Sequence, residues 1–225
     1  MLARVVNEAN QLNATRVDRK REQIVLASLE LLAEGGLGGL SLRDVAKKLD
    51  IKAPAIYWYF KSKAELVDCM AEAILSERFA GATPRTDEQT WQDWLTAYMT
   101  RLRKAMLAYP DGSRVVAGAH IHTAQTLARI FEDSLISLIS AGLDQRTAAY
   151  TMMTAIYYTF GSAIEEQSAP TAETTASLNA AGFYAAYPNI ASALDEYNQG
   201  ADAADRAYAA GLDLIIKGAE TKAAT

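Results

Sequence analysis

Residues 41–60, SLRDVAKKLDIKAPAIYWYF, constrain the fold more than any other stretch of this chain. Ser41 is a suitable N-cap for a short helix, whose apolar face is formed by Leu42, Val45, Ala46 and Leu49. After a turn at residues 50–52, Pro54 stands in the first turn of a second short helix, where its missing N–H breaks no hydrogen bond. Two short helices joined by a tight turn predict a helix-turn-helix.

A longer helix precedes this motif and completes a three-helix head. Asp18 is a suitable N-cap, apolar residues follow at helical spacing, and the glycines at 35 and 36 end the pattern. Residues 1–17 show weak periodicity, which indicates a mobile tail or a frayed helix. We therefore predict an N-terminal tail at 1–17 and a helix-turn-helix domain at 18–64.

The remaining residues, 65–225, predict a larger helical domain. Ser62 and Glu65 form a capping-box pattern at the start of a helix that ends near Phe79, and residues 81–89 then interrupt the periodicity. Further helices are predicted at about 91–106, 127–139, 144–166, 188–197 and 202–219, with stops at 109–112 and Gly142. Residues 168–187 are rich in Ala, Ser and Thr and predict either a loose helix or a long loop.

Composition supports an all-α fold for the whole chain. Half of the 225 residues are hydrophobic, which suffices to bury a substantial core, only 5 are proline, and runs of β-branched residues are nearly absent. No apolar run approaches the roughly 20 residues of a membrane span, so we expect a cytoplasmic protein. The single cysteine, Cys69, excludes an intramolecular disulfide and a cysteine-rich zinc site, and we expect it to be a small buried side chain.

Charge is distributed unevenly along the chain, whose net charge is −5. The first 63 residues contain 11 basic and 7 acidic residues, a net charge of +4, whereas the rest of the chain carries −9. A basic head on an acidic body is the pattern expected of a local nucleic-acid interface. An enzyme is not expected, because two histidines, one cysteine and no glycine-rich phosphate loop offer no catalytic set.

The segment ASLELLAEGGLGGLSLRDVAKKLDIKAPAIYWYFKSKAELVDCM, residues 27–70, resembles the N-terminal DNA-binding domain of the TetR family of bacterial regulators. The glycine stop, the Leu-Ser cap, the Val-Ala-x-x-Leu face, the proline and the Tyr-Trp-aromatic end all fall in register. The segments WQDWL, YPDGSRVVAG, FGSAIEEQ and YAAGLDLIIKGAE resemble the ligand-binding domain of the tetracycline repressors of this family. The similarity covers about residues 19–220.

By this resemblance, the third helix lies in the major groove of DNA, where phosphate contacts hold it and base contacts give specificity. Arg43 is expected to read guanine O6 and N7, and Lys63 to neutralise a phosphate. Tyr57 and Tyr59 are expected to offer hydroxyls to phosphates and ring faces to thymine methyls or sugars. The implied DNA-contacting residues are Leu42, Arg43, Ala53, Pro54, Tyr57, Trp58, Tyr59 and Lys63.

The aromatic residues also have a simpler interpretation as core side chains, which is open for Trp58 and favoured for Phe60. Tyr57, Trp58 and Tyr59 cannot all face inward from one helix, so at least one of them is exposed. The basic run at residues 19–21 is either a solvated surface or a source of further phosphate contacts.

Some positions depart from the tetracycline repressors. Ala53 stands where they have an amide side chain that can read adenine, so the operator sequence is expected to differ. Val116 and Phe79 stand where they have the two histidines that hold magnesium and the drug. We therefore expect an apolar or aromatic effector, bound without a metal or another cofactor. Glu165 matches a glutamate near the metal and is expected to be a structural or interface acid.

Candidate ligand-binding residues follow from the same resemblance, which implies a cavity in the helical body. His120 and His122 lie two residues apart, which places them on different sides of a helix, and the chain has no third histidine, so a metal site is not expected. His120 could instead bond to the effector or have a structural role. The candidates are Phe79, Trp94, Tyr98, Val116, His120, Gln125, Tyr157 and Tyr158.

The resemblance also implies a homodimer, in which the helices at about 144–166 and 202–219 of two chains form a four-helix bundle. The residues predicted to line it are Met152, Ile156, Ile164, Leu212, Ile215 and Ile216, and each could instead belong to the core of one chain. The predicted function is a repressor that binds a palindromic operator, with half-sites about 34 to 36 Å apart, and is released by a small effector. A DNA-binding regulator without a small-molecule effector, controlled by a protein partner or acting as an activator, is the alternative.

Overall fold

The computed structural model describes residues 2–168 and 180–223, with side chains for residues 15–168 and 182–222. Eleven α-helices and one 3₁₀ turn form the regular structure of these residues, and no strand occurs among them. The all-α prediction is confirmed. In chain order the elements are α1 Leu2–Gly35, the 3₁₀ turn Leu37–Gly39, α2 Leu42–Lys48, α3 Ala53–Ile56, α4 Lys63–Phe79, α5 Trp91–Met106, α6 Gly112–Ala117, α7 Gln125–Ser140, α8 Gln145–Ser168, α9 Ala180–Ala186, α10 Pro188–Tyr197 and α11 Ala203–Ala223.

The first helix is longer than the sequence predicts, because α1 begins at Leu2. Asp18 lies inside this helix, so its predicted role as the N-cap is wrong. Residues 2–17 contain no glycine or proline, and extending an existing helix carries no new nucleation cost. The predicted end is confirmed: Gly36 has a φ of 64°, and its N–H donates to the carbonyl of Leu32 at 2.9 Å.

The helix-turn-helix forms as predicted. The hydroxyl of Ser41 accepts a hydrogen bond from the N–H of Asp44 at 3.2 Å, which caps α2. Asp50 takes a left-handed conformation, with a φ of 51°, in the turn that leads to α3. Pro54 lies in the first turn of α3, which is only 4 residues long. α3 is therefore short and is followed directly by residues 57–59 as a turn.

The chain forms two compact units, Met1–Ala82 with Lys104–Ile130, and Thr83–Arg103 with Phe131–Thr225. The division falls within α5 and α7. It differs from the functional boundary predicted after residue 64, since α4 belongs to the same unit as the helix-turn-helix. That functional boundary stays a prediction.

Apolar side chains of α1 to α4 form the core of the first unit. The predicted capping box at the start of α4 is present, because Ser62 Oγ accepts the N–H of Glu65 at 3.1 Å. Two carboxylates of α4 hold the residues that follow α6: Asp68 accepts the N–H of His120 at 3.0 Å, and Glu72 accepts the N–H of Thr126 at 2.7 Å. The buried core side chains include Ile24, Leu32, Val45, Ile56, Phe60, Leu66, Met70 and Ile74.

The second unit is built on α8 and α11. Gly211 lets them pack closely, since a Cβ there would lie 2.1 Å from the hydroxyl of Tyr158. Arg103 of α5 is buried and pairs with Glu166 of α8 at 2.6 Å and with Asp205 of α11 at 2.5 Å. A buried arginine that pairs with two carboxylates on different helices fixes the three helices against one another.

The predicted stops and the short helix near the C-terminus are confirmed. Gly142 ends α7 with a φ of 97°, and α10 begins at Pro188 and ends at Tyr197. Of the segment 168–187, α9 covers residues 180–186, and residues 169–179 lie outside the described residues, so the choice between helix and loop is untested there. Within the described parts of the chain, the helices are too short or too polar to span a bilayer.

Candidate nucleic-acid interface

Aromatic side chains at the end of α3 are exposed. Trp58 has 88% and Tyr57 58% of its surface accessible to solvent, whereas Tyr59 is half-buried and Phe60 is fully buried. The prediction that one of the three consecutive aromatic residues is exposed is confirmed, as is the core role of Phe60. The core alternative for Trp58 is wrong.

A groove of about 560 Å³ lies beside these rings, between the start of α2 and the start of α4. It brings together four of the predicted DNA-contacting residues and does not include Ala53, Pro54, Trp58 or Tyr59. No acidic residue is found among its described lining residues, and two of them are cationic. The lining residues are Leu40, Ser41, Leu42, Arg43, Tyr57, Ser62 and Lys63.

The two cations of this groove have different surroundings. Arg43 is exposed on the first turn of α2. The ammonium of Lys63 donates to the carbonyl of Leu40, directly after the 3₁₀ turn, at 2.7 Å and approaches that of Leu37, the first residue of the turn, at 3.5 Å. An ammonium group has three donors, so Lys63 can bind these carbonyls and still reach an anion. Its phosphate contact stays a prediction.

Not every basic residue of the head is available to DNA. Lys48 pairs with Glu34 at 2.9 Å and with Glu30 at 3.1 Å, so it joins α2 to α1. Both hydrogen bonds raise the pKa of Lys48, and the bond with Glu34 contributes more than the bond with Glu30.

Arg21, in the predicted basic run at residues 19–21, is also bound within the head. It is half-buried, and its guanidinium donates to the main-chain oxygen of Tyr59 and to the carboxylate of Glu65. Arg19, two residues earlier, is exposed. The sequence offers no local signal for this difference, because the partner of Arg21 lies 38 residues further along the chain.

Cys69, which the sequence predicts to be a small buried side chain, is half-buried. Its sulfur lies 3.6 Å from the guanidinium of Arg21. Burial raises the pKa of the Cys69 thiol, although the neighbouring arginine acts in the opposite direction. The thiol is therefore kept protonated and unreactive near neutral pH.

Four of the predicted ligand-binding residues belong to the first unit, where their exposure differs. Phe79 and Val116 are fully buried apolar side chains, and Gln125 is exposed. The ring of His120 is exposed, and its Nδ1 lies 3.1 Å from the carboxylate of Asp68. The sequence leaves open whether His120 binds the effector or has a structural role, and the contact with Asp68 supports the structural role.

The other four belong to the second unit. Trp94 and Tyr98 are buried and stacked, with ring centroids 4.3 Å apart, and the hydroxyl of Tyr98 donates to Asp133 at 2.7 Å. Tyr158 donates to the carbonyls of α11 at 3.2 Å and stacks on Tyr208. Burial raises the pKa of Tyr208 to about 12, although its hydrogen bond with a threonine hydroxyl lowers it. Tyr157 is exposed.

A cavity of about 530 Å³ in the second unit contains only Tyr158 of these candidates. Glu165, predicted to be a structural or interface acid, also lines it. The other lining residues are Gly161, Ser162, Glu166, Tyr197, Asn198 and Ala204. Neither here nor elsewhere in the described residues is there a group of three or more His, Cys, Asp or Glu side chains that could hold a metal ion.

Most of the predicted dimer-interface residues are buried within the single chain. Met152, Ile156, Leu212 and Ile216 have little or no accessible surface, and Ile164 and Ile215 are half-buried. The burial of these four residues favours the core alternative, because a side chain covered by its own chain offers little surface to a partner. Their place in a dimer interface stays a prediction. The periodicity of an apolar helix does not distinguish these two kinds of burial.

A different face of α8 and α11 is exposed and apolar. Leu214 has 71% and Tyr150 64% of its surface accessible, and both line a groove of about 220 Å³ that also contains Ile215. The remaining lining residues are small or polar: Thr147, Thr151, Thr154, Gly218, Ala219 and Lys222.

Comparison with known proteins gives matches along both parts of the chain. The family model described as bacterial regulatory proteins, tetR family, matches residues 24–70, and that described as tetracyclin repressor-like, C-terminal domain, matches residues 83–223. The tetracycline repressor protein class C of Escherichia coli is 35% identical over 210 residues, covering 89% of this chain and 90% of that protein.

Two solved structures are similar over most of both chains. A possible TetR family transcriptional regulator from Streptomyces coelicolor A3(2) has a TM-score of 0.77 and 29% identity, covering 89% of this chain and 98% of the other. The class A TetR in complex with 5a,6-anhydrotetracycline and magnesium has a TM-score of 0.63 and 30% identity, covering 88% and 96%. The named relatives are regulators of transcription, which confirms that no enzyme is to be expected.

Proposed function

The chain belongs to the TetR family of bacterial regulatory proteins, and on this basis we propose that it is a ligand-responsive repressor of transcription. It binds a palindromic operator as a homodimer and leaves it when a small apolar or aromatic effector binds. Operator binding would take place in the cytoplasm, where bacterial chromosomal DNA lies. The exposed aromatic and cationic surface at the helix-turn-helix is the observation that carries this proposal.

This surface has the chemistry that DNA requires. Arg43 offers a forked pair of donors to guanine, and Lys63 offers an ammonium to a phosphate. Tyr57 and Trp58 present rings to sugars and thymine methyls. The groove beside them has two cations and no acidic residue among its described lining residues, which favours an approach of the phosphate backbone.

Dimer formation is supported by the apolar face of α8 and α11. Tyr150 and Leu214 expose most of their surface, and the threonines, glycine and alanine around them allow two helix pairs to approach closely. A two-fold dimer uses the same face of both chains and presents two heads to DNA. The operator should then have two half-sites about 34 to 36 Å apart.

The nature of the effector is supported by two buried side chains. By the resemblance, Val116 occupies the position of the magnesium-binding histidine of the tetracycline repressors and Phe79 that of the drug-binding histidine, and neither can ligate magnesium. The class A relative was solved with 5a,6-anhydrotetracycline and magnesium. We propose that the effector of this chain is held by apolar and aromatic contacts instead, without a metal ion or cofactor.

Release follows if the effector binds more tightly to a conformation whose two heads no longer fit the operator. The contacts around α4 support a route for this change. Asp68 and Glu72 of α4 bind the main chain at His120 and Thr126, so a shift of residues 120–126 would move the helix that follows the recognition segment.

The proposal is tested by selecting bound DNA from a random pool with the purified protein at a stated salt concentration. The expected product is a palindrome with half-sites about one helical turn apart. Operator release is then followed by fluorescence anisotropy, with a set of apolar aromatic compounds and with tetracycline plus magnesium. A pool that yields no enriched sequence contradicts the repressor, and release by tetracycline only with magnesium contradicts the metal-free effector.

A further inference from the structure

We propose that Arg21 is a positioning residue for DNA recognition. By binding the main-chain oxygen of Tyr59, it fixes residues 57–59, here called the aromatic segment, in the orientation that presents Tyr57 and Trp58 to DNA. The inference rests on the proposed function, because it assigns to a residue of α1 a role in operator binding without contact to the operator.

The contacts of Arg21 converge on both ends of the junction between α3 and α4. One guanidinium nitrogen donates to the carbonyl of Tyr59. Another donates to the carboxylate of Glu65 at 3.0 Å, in the first turn of α4. The centre of the guanidinium lies 4.3 Å from the centroid of the Phe60 ring. Arg21 therefore contacts the last carbonyl of the aromatic segment, the buried ring after it and the next helix.

The aromatic segment has weak support of its own. α3 has only 4 residues, which is too short for a helix to be stable without tertiary contacts. The N–H of Trp58 donates to the carbonyl of Ala55 at 3.4 Å, a long bond, and the N–H of Tyr59 to that of Ile56 at 2.9 Å. The rings of Tyr57 and Trp58 are exposed and contribute little packing, so a charged donor on the Tyr59 carbonyl restrains the segment where packing does not.

Glu65 in turn orients the guanidinium. One of its carboxylate oxygens accepts from Arg21, and the other accepts the N–H of Lys61 at 2.8 Å. The connections run from Lys61 through Glu65 and Arg21 to Tyr59, and both terminal guanidinium nitrogens are engaged within the head. This argues against a phosphate contact for Arg21, the alternative that its place in the basic run suggests.

The two roles predict different salt dependence. The slope of log K against log salt concentration is negative. Loss of a phosphate contact reduces its magnitude by about 0.9 and weakens all DNA sequences alike. Loss of a positioning contact leaves that slope unchanged and weakens the operator more than other DNA, because only specific recognition needs the oriented rings.

The experiment compares Arg21→Met with Arg19→Met, a matched variant that removes the same charge from the exposed side of α1. Dissociation constants are measured by fluorescence anisotropy for the selected operator and for a scrambled duplex at several stated salt concentrations. Hydrogen exchange of a peptide covering residues 56–62 reports the order of the aromatic segment. Thermal unfolding shows whether each variant is folded.

For Arg21→Met we expect roughly tenfold weaker operator binding or more, which corresponds to the loss of one charge-assisted hydrogen bond. The salt slope should match that of the wild type, scrambled DNA should be affected no more than in Arg19→Met, and exchange in residues 56–62 should become faster. A salt slope of smaller magnitude than that of the wild type, or operator binding equal to that of Arg19→Met, overturns the inference.

Arg21→Lys keeps the charge but cannot bind Tyr59 and Glu65 with a fork of donors. It is expected to retain the salt slope and to bind the operator more weakly than the wild type, so it decides the question if Arg21→Met does not fold. Full recovery of affinity in Arg21→Lys would mean that charge alone matters, which contradicts positioning. If the wild type selects no operator, the proposed function fails and the inference fails with it. If the wild type binds its operator and Arg21→Met binds it equally well, the inference fails and the proposed function stands.

Discussion

The groove at the helix-turn-helix and the groove on α8 and α11 both expose large apolar side chains, but they differ in charge. Arg43 and Lys63 line the first. Threonines and small residues line the second, where Lys222 is the charged member among the described lining residues. Exposed rings alone are therefore ambiguous, and the charge around them indicates the partner: a polyanion for the head, and a second uncharged helix face for the body.

The two regions also differ in what holds their surfaces in place. α8 and α11 have 24 and 21 residues and are supported along their length by a buried core. α2 and α3 have 7 and 4 residues and depend on individual polar contacts, such as the Ser41 cap and the bond from Arg21 to Tyr59. We therefore expect substitutions in the body groove to change assembly, and substitutions in the head to change affinity and specificity.

Leu214→Glu should have the largest effect. In the proposed dimer, a carboxylate on the α8 and α11 face would be buried against the apolar face of the partner chain, where it is neither solvated nor paired. We expect a monomer by sedimentation and more than about 3 kcal/mol of lost affinity for the palindromic operator. Binding to an isolated half-site should be retained.

The control for this variant is Ile136→Glu, which places the same charge on an exposed apolar residue of α7. It should leave the dimer and the operator affinity unchanged. Dissociation by Ile136→Glu, or a Leu214→Glu protein that remains a dimer, would show that exposure on α8 and α11 does not mark the interface.

Arg43→Ala should have an intermediate effect on the other surface. Loss of a forked donor pair to guanine should cost about 1 to 3 kcal/mol of operator affinity and relax the preference at one base pair. Selection of bound DNA by the variant measures both. Lys47→Ala, exposed on the same helix but outside the groove, is the control and should leave base preference unaltered. If Arg43→Ala weakens every sequence equally, Arg43 binds the backbone instead.

Features fixed by local sequence could be predicted, and features fixed by distant contacts could not. The Ser41 and Ser62 caps, Pro54 in the first turn of α3 and the end of α1 at Gly36 each depend on a few neighbouring residues, and all are confirmed. The sequence leaves residues 1–17 open between a mobile tail and a frayed helix and wrongly starts α1 at Asp18, because weak periodicity there conceals adequate helix propensity.

The candidate sites depend even more on contacts between residues that are distant in the sequence. The role of Arg21 depends on Tyr59, 38 residues away, and no periodicity reveals it. α8 is apolar on more than one side, so the sequence does not distinguish Ile156, covered by its own chain, from Tyr150, which is exposed. The eight predicted ligand-binding residues are divided equally between the two units. They come from the resemblance rather than from a sequence motif of their own, so their common cavity stays a prediction.

The smallest expected effect concerns pH and the contact that orients Arg21. The main-chain N–H of Lys61 lowers the pKa of Glu65, with a further contribution from Arg21, and burial opposes both. The pKa in the folded protein thus lies below the unfolded value of about 4.3. The resulting stabilisation is complete above that value and is lost as the pH falls through the lowered folded pKa.

Glu65→Gln should therefore be less stable than the wild type at pH 7, by no more than about 1 kcal/mol because the ion pair is partly exposed. The difference should shrink as the pH falls below about 4.3, since the wild-type carboxyl then becomes neutral as well. Urea unfolding at a series of pH values measures it, with Glu77→Gln, exposed near the other end of α4, as the control. A difference that stayed constant down to pH 3 would mean that Glu65 acts through its shape and hydrogen bonds rather than its charge. The carboxylate would then hold Arg21 in place by geometry alone, and the head would depend on charge only where it meets DNA.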